Sequence, residues 1–198
     1  MEKRILIFTI NGGSGHRTSA EALIQAAHTS KLPWDMVTQD FFECLQDQRK
    51  KSTTFWVRLS QKMTSMYNRL ICSSCGRGII TMMSRSFIPA YKKILEKRIA
   101  NHVKQHSTTH PFCIYLRQQQ PHLVISVASL INGCLGSIMA DCFPNIPFVV
   151  IPTDFDEGFF NMWFGSKKAH YLVGTKLLQD KAKKNQHSHF PLSFCKVL

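Results

Sequence analysis

Apolar residues near the start of the chain change from a continuous run to helical spacing. Residues Arg4–Ile10 (RILIFTI) form an uninterrupted, β-branched run of the kind that is buried on both faces of a parallel sheet. The segment His16–Thr29 then places its apolar side chains on one side of a helix, at Ala20, Leu23, Ile24 and Ala27. A second strand is expected around Asp35–Thr38. The pattern therefore predicts a first βαβ unit.

Strand and helix patterns alternate again after Pro121. Short apolar runs predict strands at Leu123–Val127, Phe148–Ile151 and Tyr171–Gly174. Helices are predicted at Leu130–Cys142 and at Thr175–Lys184, the second opened by a threonine cap. This repetition predicts the α/β class, with one Rossmann-like, doubly wound parallel sheet in a single domain over residues 1–198.

The middle of the chain shows two amphipathic helical patterns. In Phe55–Ile71 apolar and basic residues interleave at three- and four-residue steps, with Trp56, Leu59, Met63, Met66, Tyr67 and Leu70 on the apolar side and Arg58, Lys62 and Arg69 between them. Packing against the sheet and docking on a membrane both fit this helix. A second helix, Ser86–His106, is expected to cover the sheet with Phe87, Tyr91, Ile94, Leu95, Ile99 and Val103.

Positive charge is concentrated in this middle part. The net charge is +13, and residues 49–106 contain thirteen lysines and arginines against one acid, Glu96. Such a block is attracted to anionic lipid or to nucleic acid. We expect no nucleic acid as partner, because the chain has no recognisable nucleic-acid motif and its aromatic residues follow helical stripes instead of forming a stacking platform.

Cysteines and apolar runs indicate a cytoplasmic protein. The seven cysteines are scattered, and only Cys72 and Cys75 form a CxxC pair, so we predict reduced thiols and no metal site. No apolar run is long enough to cross a bilayer, and the N-terminus does not resemble a signal peptide.

The stretch NGGSGHRTSAEAL, residues 11–23, carries the candidate chemistry. A Walker loop would need Gly-Lys-Ser/Thr where His16 and Arg17 stand. A dinucleotide fingerprint fits only in part, with Thr18 at the third small position and Asp40 as the one acid near the end of the second strand. A histidine at a helix start is held neutral by the helix dipole and can take a proton from an attacking hydroxyl, as sugar transfer requires.

Three segments together resemble one enzyme family. They are Gly12–Leu23, Pro121–Ser126 and Pro152–Phe155, and their order and spacing also agree with the family. The chain from about residue 4 to 184 resembles the monogalactosyldiacylglycerol synthases and bacterial processive diacylglycerol glucosyltransferases, which are GT-B, glycosyltransferase family 28-like enzymes. His122 departs from the acid that is usual in the second motif.

The resemblance implies a lipid-acceptor domain that works with a second, UDP-sugar-binding domain. It implies that His16 is the base for the acceptor hydroxyl, and that Asp154 either orients that histidine or the acceptor, or only caps a helix. The glycine turn, with Gly12, Gly13, Ser14, Gly15 and Arg17, would contact acceptor or phosphate. The basic segment 49–106 would face an anionic membrane on the cytoplasmic side, with Trp56, Arg58, Lys62, Met63, Met66 and Arg69. Asn132 and Gly133 follow the predicted strand at Leu123 at its carboxyl end, where α/β domains bind ligands, but we expect a turn or cap role for them.

The resemblance covers only the acceptor half of the family, and we expect the donor half to be absent from this chain. We therefore expect no cofactor on this domain, UDP-sugar on the absent domain, and little transfer to diacylglycerol unless a donor chain is supplied, because catalysis needs both reactants in one site. A truncated gene, a split enzyme and a reused domain all fit this pattern. The alternative function is a non-catalytic, peripheral lipid-binding module on the same fold.

Overall fold

The computed structural model describes residues 2–11, 14–46, 62, 65, 90, 92–153, 160–166, 168–184 and 192–194. Six strands form one parallel sheet in the order β2-β1-β3-β4-β5-β6. Their bounds are β1 Lys3–Thr9, β2 Trp34–Asp40, β3 Leu123–Ser126, β4 Phe148–Val150, β5 His170–Val173 and β6 Leu192–Phe194. The predicted α/β class and parallel sheet are confirmed, and β6 was not predicted.

Helices connect these strands. They are α1 Ser14–Thr29, α2 Phe41–Cys44, α3 over residues 92–105, α4 Pro111–Gln119, α5 Asn132–Cys142, α6 Phe160–Trp163 and α7 Lys176–Lys184. A 3₁₀ turn, Ser129–Ile131, precedes α5, so the helix predicted from Leu130 begins two residues later. The threonine cap of α7 is confirmed, because the Thr175 hydroxyl accepts from the Leu178 N–H at 3.2 Å.

The two faces of the sheet carry two separate apolar clusters. In β1, Leu6 and Phe8 belong to the larger cluster, whereas Ile5 and Ile7 belong to the smaller one beneath α1. Ala20 of α1 closes the smaller cluster, and helices α3, α4 and α5 pack on the opposite face. The central strand is therefore buried on both sides, as its continuous apolar run predicted.

Helix α3 covers the sheet with only part of its predicted stripe. Leu95, Ile99 and Val103 are buried in the larger cluster, which confirms that role for them. Ile94 is 54% exposed, so its assignment to the covering face was wrong. Successive helical residues lie about 100° apart, and Leu95 already occupies the position that faces the sheet. The predicted positions Phe87 and Tyr91 lie outside the described residues.

Helix α4 was not predicted, although local signals mark both of its ends. The His110 ring accepts from the Phe112 N–H at 3.2 Å, and Pro111 fills the first turn. Gln120 ends the helix in the left-handed conformation, with φ 46°. A histidine cap and a left-handed glutamine are weaker sequence signals than Ser, Asp or Gly at these positions.

Candidate functional site

In the described sheet the strand order reverses direction at β1. β2 pairs with one edge of β1, and β3 pairs with the other edge. In open parallel sheets, ligands bind in the crevice that such a reversal leaves at the carboxyl ends of the strands. Helix α1 begins at this end of β1, and residues 127–133 leave β3 at the same end.

His16 lies on the first turn of α1, and its side chain is partly buried. Its Nδ1 atom is enclosed by protein. The ring packs edge-to-face on the Trp163 indole, with centroids 6.2 Å apart and planes at 70°. Since the positive end of the helix dipole disfavours a cationic imidazole, the position suits a neutral histidine held against an aromatic neighbour.

The other described residues of the glycine turn lie beside His16 along α1. Ser14 is the first residue of the helix. Gly15 is exposed, and a Cβ atom at this position would have no neighbour within 4 Å among the described residues. The Arg17 guanidinium lies on the exposed helix surface and pairs with Glu21 at 2.9 Å. A glycine at this position lets another group approach the helix backbone closely.

Several predicted site residues lie outside the described part of the chain. Lys62 is the one predicted membrane-facing residue that is described, and it is helical and exposed. The residues outside the description are Gly12, Gly13, Trp56, Arg58, Met63, Met66, Arg69 and Asp154. The relation of Asp154 to His16 therefore stays a prediction.

Asp40 ends β2 and faces Thr9 of β1 in the register. Its carboxylate accepts from the Glu43 N–H at 3.0 Å, which caps α2, and also from the N–H groups of Phe42 and Asn11. Burial raises the pKa of this carboxyl, and the three N–H donors oppose that shift. In a dinucleotide-binding protein an acid at this position would bind a ribose. Here Asp40 instead accepts a hydrogen bond from Asn11, the residue directly before the glycines.

A buried polar chain joins the end of β3 to Trp163. The Ser126 hydroxyl donates to Asn132 Oδ1 at 2.7 Å, and Asn132 Nδ2 donates to the Trp163 carbonyl at 3.1 Å. All three residues are fully buried. Asn132, expected as a turn or cap residue, therefore bridges two parts of the site. The Trp163 indole N–H is buried and has no hydrogen-bond partner within the described ranges, which is uncommon for a buried donor.

A largely buried ion pair holds the residue before Trp163 in the same segment. Lys92 Nζ donates to the Met162 carbonyl at 2.6 Å and lies 3.5 Å from Glu96 Oε1. The same Glu96 oxygen accepts from the Gly133 N–H at 2.8 Å, at the start of α5. Burial raises the pKa of Glu96, while Lys92 and the helix N–H groups act in the opposite direction. A carboxylate at a helix N-terminus is stabilised by the helix dipole.

Sequence reasoning did not identify Lys92, Glu96 or Trp163 as parts of this site. For Glu96 a signal existed, since it is the one acid among thirteen basic residues in 49–106. An isolated opposite charge within such a block is a candidate for a specific partner. Lys92 has no comparable signal, because the lysines that follow it, Lys93 and Lys97, are exposed to solvent.

The described residues contain neither a membrane-spanning helix nor a cluster of metal-ligating side chains. No helix in that part of the chain is long and apolar enough to cross a bilayer. Within the same residues, no group of three or more histidine, cysteine, aspartate or glutamate side chains is placed to hold a metal ion. The described cysteines, Cys44, Cys113, Cys134 and Cys142, are all free thiols.

Comparisons with known proteins identify no family for this chain. No family model matches it, and neither a curated protein nor a solved structure does. The position of His16 at the carboxyl end of β1 and the sequence motif around it are therefore the basis of the proposed function.

Proposed function

We propose that this chain is the lipid-acceptor half of a GT-B glycosyltransferase that transfers a hexose from a UDP-sugar to diacylglycerol. The observation that supports the proposal is the placement of His16, on the first turn of α1, at the carboxyl end of β1 where the strand order reverses. The partly buried ring packs on Trp163, which limits its motion. The motif resemblance around residues 12–23 supports the same assignment.

In the proposed reaction His16 acts as the general base. The neutral imidazole accepts the proton of the acceptor hydroxyl while the hydroxyl oxygen attacks the anomeric carbon of the sugar. The bond from that carbon to the UDP oxygen breaks, and UDP leaves with the electron pair. A positioned base of this kind contributes about 10²–10⁴-fold to the rate.

Charge on the described surface supports a peripheral position on an anionic, cytoplasmic membrane face. Lys62 is exposed, and so are Lys93, Lys97 and Arg98 on the outer face of α3. Ile94 is exposed in the middle of that basic face. Attraction of such a face to anionic lipid decreases as salt is added, because the Debye length falls from about 10 Å at 0.1 M to about 3 Å at 1 M.

The test combines lipid binding with complementation by a donor domain. The purified chain is mixed with vesicles of phosphatidylglycerol and diacylglycerol, and transfer from a UDP-sugar is measured with and without a separately expressed donor domain of a related glycosyltransferase. We expect vesicle binding by the chain alone and transfer only with the donor domain. His16→Ala should bind vesicles normally and lower kcat by about 10²–10⁴-fold.

His28→Ala is the matched control, because His28 is an exposed histidine on the last turn of the same helix. Transfer that survives His16→Ala would remove the assigned role of that residue. Vesicle binding without transfer, whichever donor domain is added, would favour the alternative function of a non-catalytic lipid-binding module. A gel shift with nucleic acid and no binding to vesicles would overturn both.

A further inference from the structure

Two consecutive backbone carbonyls hold the segment that carries Trp163. The Met162 carbonyl accepts from Lys92 Nζ at 2.6 Å, and the Trp163 carbonyl accepts from Asn132 Nδ2 at 3.1 Å. Both donors are buried, with Lys92 6% exposed and Asn132 fully enclosed. Trp163, which packs against His16, is thus held in place by hydrogen bonds to two adjacent backbone carbonyls.

Each of the two donors is itself fixed by a further partner, mostly buried for Lys92 and fully buried for Asn132. Glu96 lies 3.5 Å from Lys92 Nζ and is bound to the Gly133 N–H at 2.8 Å. Asn132 Oδ1 accepts from the Ser126 hydroxyl at 2.7 Å. A long lysine side chain loses about 1.5–2 kcal/mol of rotamer freedom when it is ordered, and a neighbouring carboxylate reduces the number of positions it can take.

The same segment lies directly against the start of α5. A Cβ atom added at Gly165 would come within 2.9 Å of the Gly133 nitrogen and 3.4 Å of Lys92 Nζ. Only a residue without a side chain allows this approach. The close contact makes the position of Trp163 depend on the packing of α3 and α5 against each other.

We propose that Lys92, Glu96 and Asn132 are positioning residues that set the orientation of the His16 imidazole by fixing Trp163 beside it. The importance of this orientation for catalysis rests on the proposed function, whereas the positioning of the ring is a property of the folded chain. Burying a lysine and a glutamate is costly, and a hydrophobic pair of the same volume would fill the space at similar stability. The ion pair provides what a hydrophobic pair cannot, a directed bond to the Met162 carbonyl.

The test uses the ring-proton chemical shifts of His16 in the full-length chain, assigned by difference from His16→Asn. The Trp163 indole shifts these resonances by its ring current, and Trp163→Leu defines how much of the shift depends on that ring. We expect Lys92→Met to lose most of the Trp163-dependent shift. Lys104→Met is the matched control, because Lys104 also lies on α3 and binds α5, through Ser137 and Asp141.

If Lys92→Met does not fold, the double variant Lys92→Met with Glu96→Gln replaces it under the same criterion, because it leaves no buried carboxylate without a cation. A His16 shift that stays at the wild-type value in the folded variant would overturn the proposal, and so would an equal loss in Lys104→Met. The measurement contains no lipid, nucleotide or donor domain. A failed transferase assay therefore contradicts the proposed function alone, and an unchanged shift contradicts the positioning alone.

Discussion

Replacing Lys92 with methionine removes the cation next to a buried carboxylate and keeps the length of the side chain. Two contacts are lost, the bond to the Met162 carbonyl at 2.6 Å and the ion pair with Glu96 at 3.5 Å. A buried acceptor left without its partner costs about 1–3 kcal/mol. A buried charge left without its partner costs about 3–5 kcal/mol, unless the group is neutralised by a proton.

The cost of leaving the Glu96 charge without its partner depends on pH, and the pKa of Glu96 decides whether it grows or shrinks as the pH rises. Burial already raises this pKa above the ordinary value of 4.5, and Lys92 is the largest opposing influence. Without Lys92 the folded-state pKa rises further. A carboxyl with a raised folded-state pKa stabilises the fold fully below pH 4.5 and loses that contribution as the pH rises through the folded-state value. The variant therefore loses stability relative to wild type as the pH increases.

Urea unfolding followed by far-ultraviolet circular dichroism measures the effect. Near pH 5 we expect Lys92→Met to lower the free energy of unfolding by about 1–3 kcal/mol, the cost of the unpaired carbonyl. Near pH 7.5 we expect the loss to reach about 3–5 kcal/mol, with a slope no steeper than about 1.4 kcal/mol per pH unit. Adding Glu96→Gln to Lys92→Met should return most of the pH-dependent part, because glutamine offers the Gly133 N–H a neutral acceptor.

Lys104→Met provides the comparison for this experiment as well. Lys104 pairs with Asp141 at 2.9 Å on the surface, and its hydrogen bond lowers the pKa of that carboxyl. The stability from this pair is lost as the pH falls through the depressed folded-state pKa, below the window studied. Lys104→Met should therefore show no change in its effect between about pH 5 and about pH 7.5. Two results would contradict the role of the Glu96 charge. One is an equal loss of unfolding free energy in Lys92→Met at both pH values, and the other is no recovery of stability when Glu96→Gln is added.

Three further substitutions test the packing around the site by urea unfolding. Tyr171→Phe removes a buried hydroxyl that donates to the Ser166 carbonyl at 2.8 Å and accepts from the Ser166 N–H at 3.0 Å; it should cost about 1–3 kcal/mol, and a neutral result would contradict the two bonds. Thr38→Val replaces a buried hydroxyl that has no partner in the described part of the chain, and it should stabilise the protein by about 1 kcal/mol instead of destabilising it. Gly136→Ala places a methyl group on the Ser166 side chain; it should cost about 1–3 kcal/mol, and Ser166→Gly in the same chain should recover part of that loss.

The elements that sequence patterns predicted are those whose signal is local. β1 is a continuous apolar run because both of its faces are covered, and α1 repeats its apolar residues at helical spacing because one side faces the sheet. The place of His16 at the start of α1 followed from the same patterns. Helix α4 was missed because its ends use a histidine cap and a left-handed glutamine in place of the common signals.

The partners of the site were decided only by the tertiary structure. Lys92 and Met162 are 70 residues apart, and Glu96 and Gly133 are 37 apart. No periodic pattern connects residues at such separations, because their contact depends on how α3, α5 and the segment 160–166 pack over the carboxyl end of the sheet. The sequence alone determined strands β1 to β5, the parallel α/β class and the helix that carries His16, whereas β6 was not predicted. Packing across the sheet determined that Trp163 lies against His16 and that the Lys92–Glu96 pair holds the backbone beside that tryptophan. These contacts join residues that are far apart in the sequence, so they form only when the helices pack together.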